Sequence, residues 1–220
     1  MTRVKICGVV SAETADECAR IGADSVGVNF VSSSPRRVDA RTAREIVEAV
    51  GGRAVVVAVV ANMTVAEMRS LKEVTGIDCV QLHGDEPPEV VAAMLPHAYK
   101  AVRIVGASDV ARADEMPGPY VLADARVDGS LGGTGSVFDW NLVVALARRR
   151  RLTLAGGLTP DNVGAAIEMV GPWCVDTASG VEDGHYRKDI SKVRAFIEAV
   201  READRRVRPP TQSSGPSAPP

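Results

Sequence analysis

The sequence predicts an α/β protein of a single domain closed as a (β/α)8 barrel, and three observations lead there. Short apolar, β-branched runs alternate eight times with stretches of helical periodicity. No run ends in the G-x-G-x-x-G turn, with an acidic residue about 20 positions on, that marks open dinucleotide-binding sheets. The length, 220 residues with 45% hydrophobic and 25% charged, suits a folded unit with a real core rather than a fibrous or disordered chain. Strict βαβα alternation implies parallel strands joined by right-handed crossovers, either in an open doubly wound sheet or in a closed barrel. Eight units favour the closed form, the TIM barrel.

The elements follow in order. Val4-Ile6 is the first strand, and Ala12-Ile21 the first helix, with Ser11 as its N-cap candidate. Ser25-Phe30 precedes a helix over Thr42-Val50. Ala54-Ala61, eight apolar residues, precedes Val65-Val74, which Thr64 can cap. Ile77-Leu82 leads to Pro88-Leu95, Tyr99-Ile104 to Val110-Glu115, and Tyr120-Ala123 to Trp140-Arg148. Leu152-Ala155 and Trp173-Val175 complete the strands, followed by Asp161-Met169 and Ile190-Ala203. The expected domain is 1–206. Beyond it, 207–220 is rich in Pro and Ser, has little to bury, and reads as a disordered tail. The basic run Arg148 to Arg151 reads as a helix C-terminus favouring the negative dipole end, with an anion patch as the alternative.

Composition excludes several function classes. Lys and Arg total 26 against 28 Asp and Glu, a net charge of -2, so no global positive field favours nucleic acid or an anionic membrane. The longest apolar run is far short of the ~20 residues of a spanning helix, and Met1 to Cys7 leaves no room for a signal-peptide core. A cytoplasmic protein is expected, without nucleic-acid or membrane partners. The four cysteines, Cys7, Cys18, Cys79 and Cys174, form no C-x-x-C pair and read as reduced thiols. The three histidines have no H-E-x-x-H spacing, so no metal site is expected.

Polar residues near strand C-termini need an explanation in a parallel barrel, where strands are buried on both faces, and the usual one is a site on the C-terminal rim. Side-chain alternation puts Lys5 and Cys7 on one face of the first strand and Gln81 and His83 on one face of the fourth. Asn29, Asn62, Asp124 and Asp176 stand at or near strand ends. Each has a plainer reading. Cys7, like Cys18, Cys79 and Cys174, can be a small core hydrophobe; Asp124 and Asp176 can cap loops; His83 can orient a turn. Their coincidence on one rim favours a site. Glycine turns follow the last three strands: Gly132-Gly133-Thr134-Gly135, Gly156-Gly157, and Ser179-Gly180. Such turns let backbone N–H groups approach an anion, and barrel phosphate sites commonly use the loops after strands seven and eight.

Taken together, Val4-Lys5-Ile6-Cys7-Gly8, Ser34-Pro35-Arg36-Arg37, Val80-Gln81-Leu82-His83-Gly84, Gly132-Gly133-Thr134-Gly135 with Phe138-Asp139-Trp140, Ala155-Gly156-Gly157-Leu158 and Ser179-Gly180-Val181-Glu182 resemble the phosphoribosylanthranilate isomerase family of tryptophan biosynthesis. The resemblance runs from Arg3 to about Ala199. It implies Cys7 as general base, Asp124 as general acid, and Arg36 as the holder of the anthranilate carboxylate. It further implies substrate contacts from Lys5, Gln81, His83 and Asp176, and a phosphate held by Gly133, Thr134, Gly135, Gly156, Gly157, Ser179 and Gly180. Ala178 departs from a frequent Ser, and Val31-Ser32-Ser33 lacks a frequent aromatic-proline pair.

The implied reaction is an Amadori rearrangement of a phosphosugar amine without a cofactor. An acid opens the furanose to a Schiff base, and a base then removes the C2′ proton. A free Asp titrates near ~3.9 and a free Cys near ~8.5. The site is therefore expected to raise Asp124 and to lower Cys7, with Lys5 about 7 Å along the strand face helping the thiolate. A monomer is expected, with a homodimer as the alternative. The rivals are another phosphate-handling barrel enzyme, such as indole-glycerol-phosphate synthase or a pentose-phosphate epimerase, and a non-catalytic phosphosugar-binding barrel. The first set would show catalytic lysines with a glutamate, or metal ligands, at strand ends.

Overall fold

Parallel pairing in the computed structural model, which describes residues 1–124 and 139–207, runs in chain order around eight strands and closes β1 on β8. The strands are β1 (Arg3–Cys7), β2 (Ser25–Asn29), β3 (Val55–Val60), β4 (Cys79–Leu82), β5 (Ala98–Arg103), β6 (Tyr120–Asp124), β7 (Arg151–Ala155) and β8 (Cys174–Thr177). The helices are α1 (Ala12–Ile21), α2 (Ala40–Val50), α3 (Val65–Thr75), α4 (Pro88–Met94), α5 (Ala107–Glu115), α6 (Asn141–Arg149), α7 (Val163–Val170) and α8 (Ile190–Val207). The barrel is the one the alternation predicts. The Gly133 to Gly135 turn and residues 208–220 lie outside the described residues. No helix among the described residues is long and apolar enough to cross a membrane.

Local chemistry sets the helix starts. The Ser11 side chain accepts from Thr14 N at 3.3 Å, and Thr64 and Glu67 form a reciprocal capping box. At three ends where prediction and structure differ, a polar side chain explains it. Helix α5 begins at Ala107 rather than Val110 because Asp109 Oδ2 accepts from the N–H groups of both Val105 and Gly106. Helix α7 begins after Asn162, whose Oδ1 accepts from Thr159 N. Strand β8 runs past the apolar residues to Thr177, because Asp176 turns into the barrel and Thr177 Oγ1 donates to Leu158 O at 2.7 Å.

The main apolar core lies between sheet and helices. Val4, Ile6, Val26, Val28, Val80, Leu82, Leu152 and Leu154 face outward from the strands and are buried against helix residues such as Ile46, Met68, Leu146 and Phe196. Each such burial contributes about 1.5–3 kcal/mol relative to exposure. A smaller cluster of Ala101, Leu122 and Ala155, with Tyr99 against it, fills part of the barrel interior. Helix α8 seals the N-terminal end: Asp204 accepts from Thr2 N and Thr2 Oγ1, both at 2.7 Å. With one face of each strand holding the fold, the alternate side chains are available to the interior and to the C-terminal rim.

Candidate active site

Strand β1 delivers Lys5 and Cys7 to the barrel interior, and register pairs Lys5 with Ser25 on β2 and with Asp176 on β8. Room for both comes from Gly27 on β2. A Cβ there would stand 2.8 Å from Cys7 Sγ and 3.1 Å from Lys5 Nζ. Lys5, only 2% exposed, donates to Asp176 Oδ2 at 2.9 Å. Burial works against the ammonium, but the charges of Asp176, Cys7 and Tyr99 and the hydrogen bond to Asp176 outweigh it and hold Lys5 charged. The other oxygen, Asp176 Oδ1, is buried without a hydrogen-bond partner among the described residues. A buried acceptor left open in this way costs free energy, and a hydroxyl or amine donor would satisfy it.

The expectation of a lowered Cys7 is corrected. Burial pushes the Cys7 thiol up, Lys5 pulls it down, and Asp176 pushes it up again, leaving it above the ordinary cysteine value. The physical reason is burial, which outweighs the Lys5 charge, with the Asp176 carboxylate adding to it. Cys18 and Cys79, pushed up by burial to about 12 and about 11, are packed thiols, as is the buried Cys174.

Across the interior, four side chains form a chain to the rim. Tyr99 OH donates to Gln81 Oε1 at 2.9 Å, Gln81 Nε2 lies 3.0 Å from His83 Nδ1, and His83 Nε2 faces Asp124 Oδ2 at 3.4 Å. With the amide in this orientation, Gln81 donates to Nδ1, so a neutral imidazole carries its proton on Nε2, toward Asp124. His83 thus has side-chain partners beyond its own turn. Asn29 Oδ1 accepts from Val31 N within its own loop, whereas Asn62 Oδ1 accepts from Asp85 N and ties the loop after β3 to the loop after β4.

Arg36 lies on the loop after β2, with its alkyl stem over Gly8. A Cβ on Gly8, where φ is +75°, would collide with Arg36 Cδ. The guanidinium is half-buried and engaged. Its Nε and Nη2 donate to Glu182 at 2.6 and 2.7 Å, and Lys188 Nζ donates to Glu182 at 2.6 Å. Burial opposes the Glu182 carboxylate, and these two cations outweigh it, keeping the group below the ordinary glutamate range. Glu182, Lys188 and Tyr99 were not assigned from sequence. The hydrophobic pattern carries no signal for them, although Tyr99 follows from alternation once β5 is known to start at Ala98.

The glycine turns after β7 and β8 interlock. Gly156 and Gly157 take φ of +97° and +68°, and Gly157 faces open space. Gly180, within the 3-10 turn Ser179–Val181, lies against the Leu158 carbonyl so closely that any side chain would collide with it. Gly157 is thus free to approach a ligand, whereas Gly180 holds one loop on the other. Gly133, Thr134 and Gly135 fall outside the described residues, and Ser179 opens the 3-10 turn.

Residues 4–199 match the family model described as N-(5′-phosphoribosyl)anthranilate (PRA) isomerase. A relative from Pseudomonas aeruginosa bearing the name N-(5′-phosphoribosyl)anthranilate isomerase is 43% identical over 201 residues, 90% of this chain and 95% of its own. The crystal structure of phosphoribosyl anthranilate isomerase from Thermotoga maritima superposes with a TM-score of 0.84 at 35% identity, covering 92% of this chain and all of that one. A crystal structure of the isomerase in complex with reduced 1-(o-carboxyphenylamino)-1-deoxyribulose 5-phosphate superposes at 0.82 with 33% identity, with the same coverage.

Proposed function

This chain belongs to the N-(5′-phosphoribosyl)anthranilate isomerase family, and from that premise we propose that it catalyses the Amadori rearrangement of N-(5′-phosphoribosyl)anthranilate with Asp124 as acid and Cys7 as base. The observation that carries the reading is the delivery of these two groups, on β6 and β1, to the rim that also holds the glycine turns after β7 and β8. Asp124 protonates the furanose ring oxygen, the C1′–O bond breaks, and the nitrogen lone pair forms the Schiff base. Cys7 then removes the C2′ proton, the electrons flow to nitrogen to give the enolamine, and tautomerisation yields the ketone. No electron acceptor is needed, since C1′ is reduced as C2′ is oxidised.

His83, with Gln81 and Tyr99 behind it, orients Asp124. The open Asp176 Oδ1 accepts a substrate hydroxyl; burial pushes the Asp176 carboxyl up, and the Lys5 ammonium works against that. Arg36 takes the anthranilate carboxylate. The phosphate lies on the turns at Gly156-Gly157 and Ser179-Gly180, with Gly133, Thr134 and Gly135 completing it. The same reading makes the protein a cytoplasmic monomer using no cofactor, checked by fractionation and sedimentation. Purified protein added to freshly made phosphoribosylanthranilate should accelerate the loss of anthranilate-type fluorescence. Equal decay with and without protein overturns the proposal.

A further inference from the structure

The segment from Glu182 to Lys188 folds back on itself. Glu182 bridges Lys188 in antiparallel fashion, Asp183 N donates to Arg187 O, and the Asp183 carboxylate accepts from His185 N and Arg187 Nε. Beside the tip stands Tyr186 at φ +60°, in the left-handed region. Asn62 is the other non-glycine residue there among the described residues, and its side chain accepts a backbone N–H; Asn tolerates this conformation. A tyrosine does not, and strain of this kind persists where the surroundings over-determine it, commonly at ligand clamps. The Arg36 guanidinium carbon lies over the half-exposed Tyr186 ring, 4.9 Å from the ring centroid.

Three constraints then act on one guanidinium. Gly8 admits its stem, Glu182 occupies the Nε–Nη2 edge, and the Tyr186 ring bears on its central carbon. What stays available is the end-on edge, Nη1 with the second Nη2 proton, which takes a carboxylate in the guanidinium plane. We propose that Tyr186, presented by the Glu182–Lys188 fold-back, is a positioning residue that holds the Arg36 guanidinium with this edge toward the substrate carboxylate. This rests on the reading of Arg36 as the carboxylate holder.

The experiment uses the full chain with Tyr186→Phe, Tyr186→Leu and Tyr186→Gly. Steady-state kinetics are measured on phosphoribosylanthranilate, and calorimetric binding on two probes: the reduced carboxyphenylamino-deoxyribulose phosphate and its counterpart lacking the carboxyl. Tyr186→Phe keeps the ring and should match the wild type. Tyr186→Leu should raise KM about fivefold, the worth of one partly exposed cation–π contact, with kcat within twofold and unchanged affinity for the decarboxylated probe. Tyr186→Gly relieves the backbone strain, so its melting temperature should hold or rise while KM rises equally. A KM for Tyr186→Leu equal to wild type, or the same loss on both probes, overturns the inference alone. A wild type that binds both probes equally overturns the Arg36 reading, and the inference with it.

Discussion

Replacing Lys5 by Met tests how the thiol of Cys7 is tuned. The distances from a Cβ on Gly27, 2.8 Å to Cys7 Sγ and 3.1 Å to Lys5 Nζ, limit the Nζ–Sγ separation to about 6 Å. At an effective dielectric of about 20, a unit charge at that range acts with about 3 kcal/mol, a factor of about 100 in a protonation equilibrium. Cys7 already sits above the ordinary thiol value, with Lys5 the largest influence lowering it. Lys5→Met should therefore push it further up. At pH 8, below the thiol's pKa in either protein, the thiolate fraction should fall about 100-fold. The assay is the pH dependence of Cys7 alkylation by iodoacetamide, followed by mass spectrometry of its peptide. Cys18 and Cys79, at about 12 and about 11, stay protonated through the range. Lys5→Met also leaves Asp176 as an unpaired buried charge, at a cost of about 3–5 kcal/mol out of a typical 5–15 kcal/mol, so Lys5→Met/Asp176→Asn is the folding control. It removes one influence that lowers Cys7 and one that raises it, and its alkylation profile should return toward wild type. Superimposable profiles for folded Lys5→Met and wild type would refute the coupling.

Cys7→Ala and Asp124→Asn should each lower kcat by at least ~100-fold with unchanged circular dichroism, and the double variant should fall well short of the product of the two losses; near wild-type turnover in either folded single variant removes that residue from the mechanism. Because the base is the thiolate and its pKa is raised, wild-type kcat/KM should climb with pH from 7 to 9, and a plateau below pH 8 counts against Cys7. Gly27→Ala should destabilise by about 1–3 kcal/mol through overpacking and depress activity, read as denaturation midpoint and kcat; an unchanged midpoint and rate would mean the rim yields freely. Truncation after Val207 should leave melting temperature and turnover unaltered, since the Pro- and Ser-rich remainder offers little to bury.

The barrel was legible because its signal is redundant: eight apolar runs, each bounded by turn residues, point to one topology. Ends were less so. The apolar criterion stops β8 at Val175, yet Asp176 and Thr177 continue it because their polar groups meet Lys5 and Leu158 O, partners more than fifteen residues away. The same limit governs the site. Alternation places Lys5, Cys7, Gln81 and His83 on interior faces, and strand ends flag Asp124 and Asp176. Nothing local reveals how deeply the closed barrel buries Cys7, or that Asp176 would pair with Lys5, so the direction of the Cys7 shift was misread. Glu182 belongs to a quoted motif, but its bond to Arg36 spans 146 positions, and only the closed fold brings them together.

Separate faces of the same strands carry stability and chemistry here. The residues that bury most apolar surface, Ile6, Leu82, Leu152 and Leu154 among them, point outward to the helices, while their neighbours Cys7, Gln81, Thr153 and Asp176 point inward. A cavity on the outer face costs about 2–5 kcal/mol for a Leu→Ala change. An inward change at a rim position such as Cys7→Ala removes few atoms from that packing. The interior is not free of cost, however. The Lys5–Asp176 pair is buried, and such pairs are often no more stable than apolar replacements of equal volume. A barrel selected for stability alone would fill these positions with Leu and Val. That it keeps a lysine and a thiol beside one glycine, with the lysine paired to a carboxylate that has an open oxygen, fits the proposed proton transfer at some expense in stability. The expectation that follows is specific: Lys5→Met/Asp176→Asn should melt no lower than wild type while losing activity.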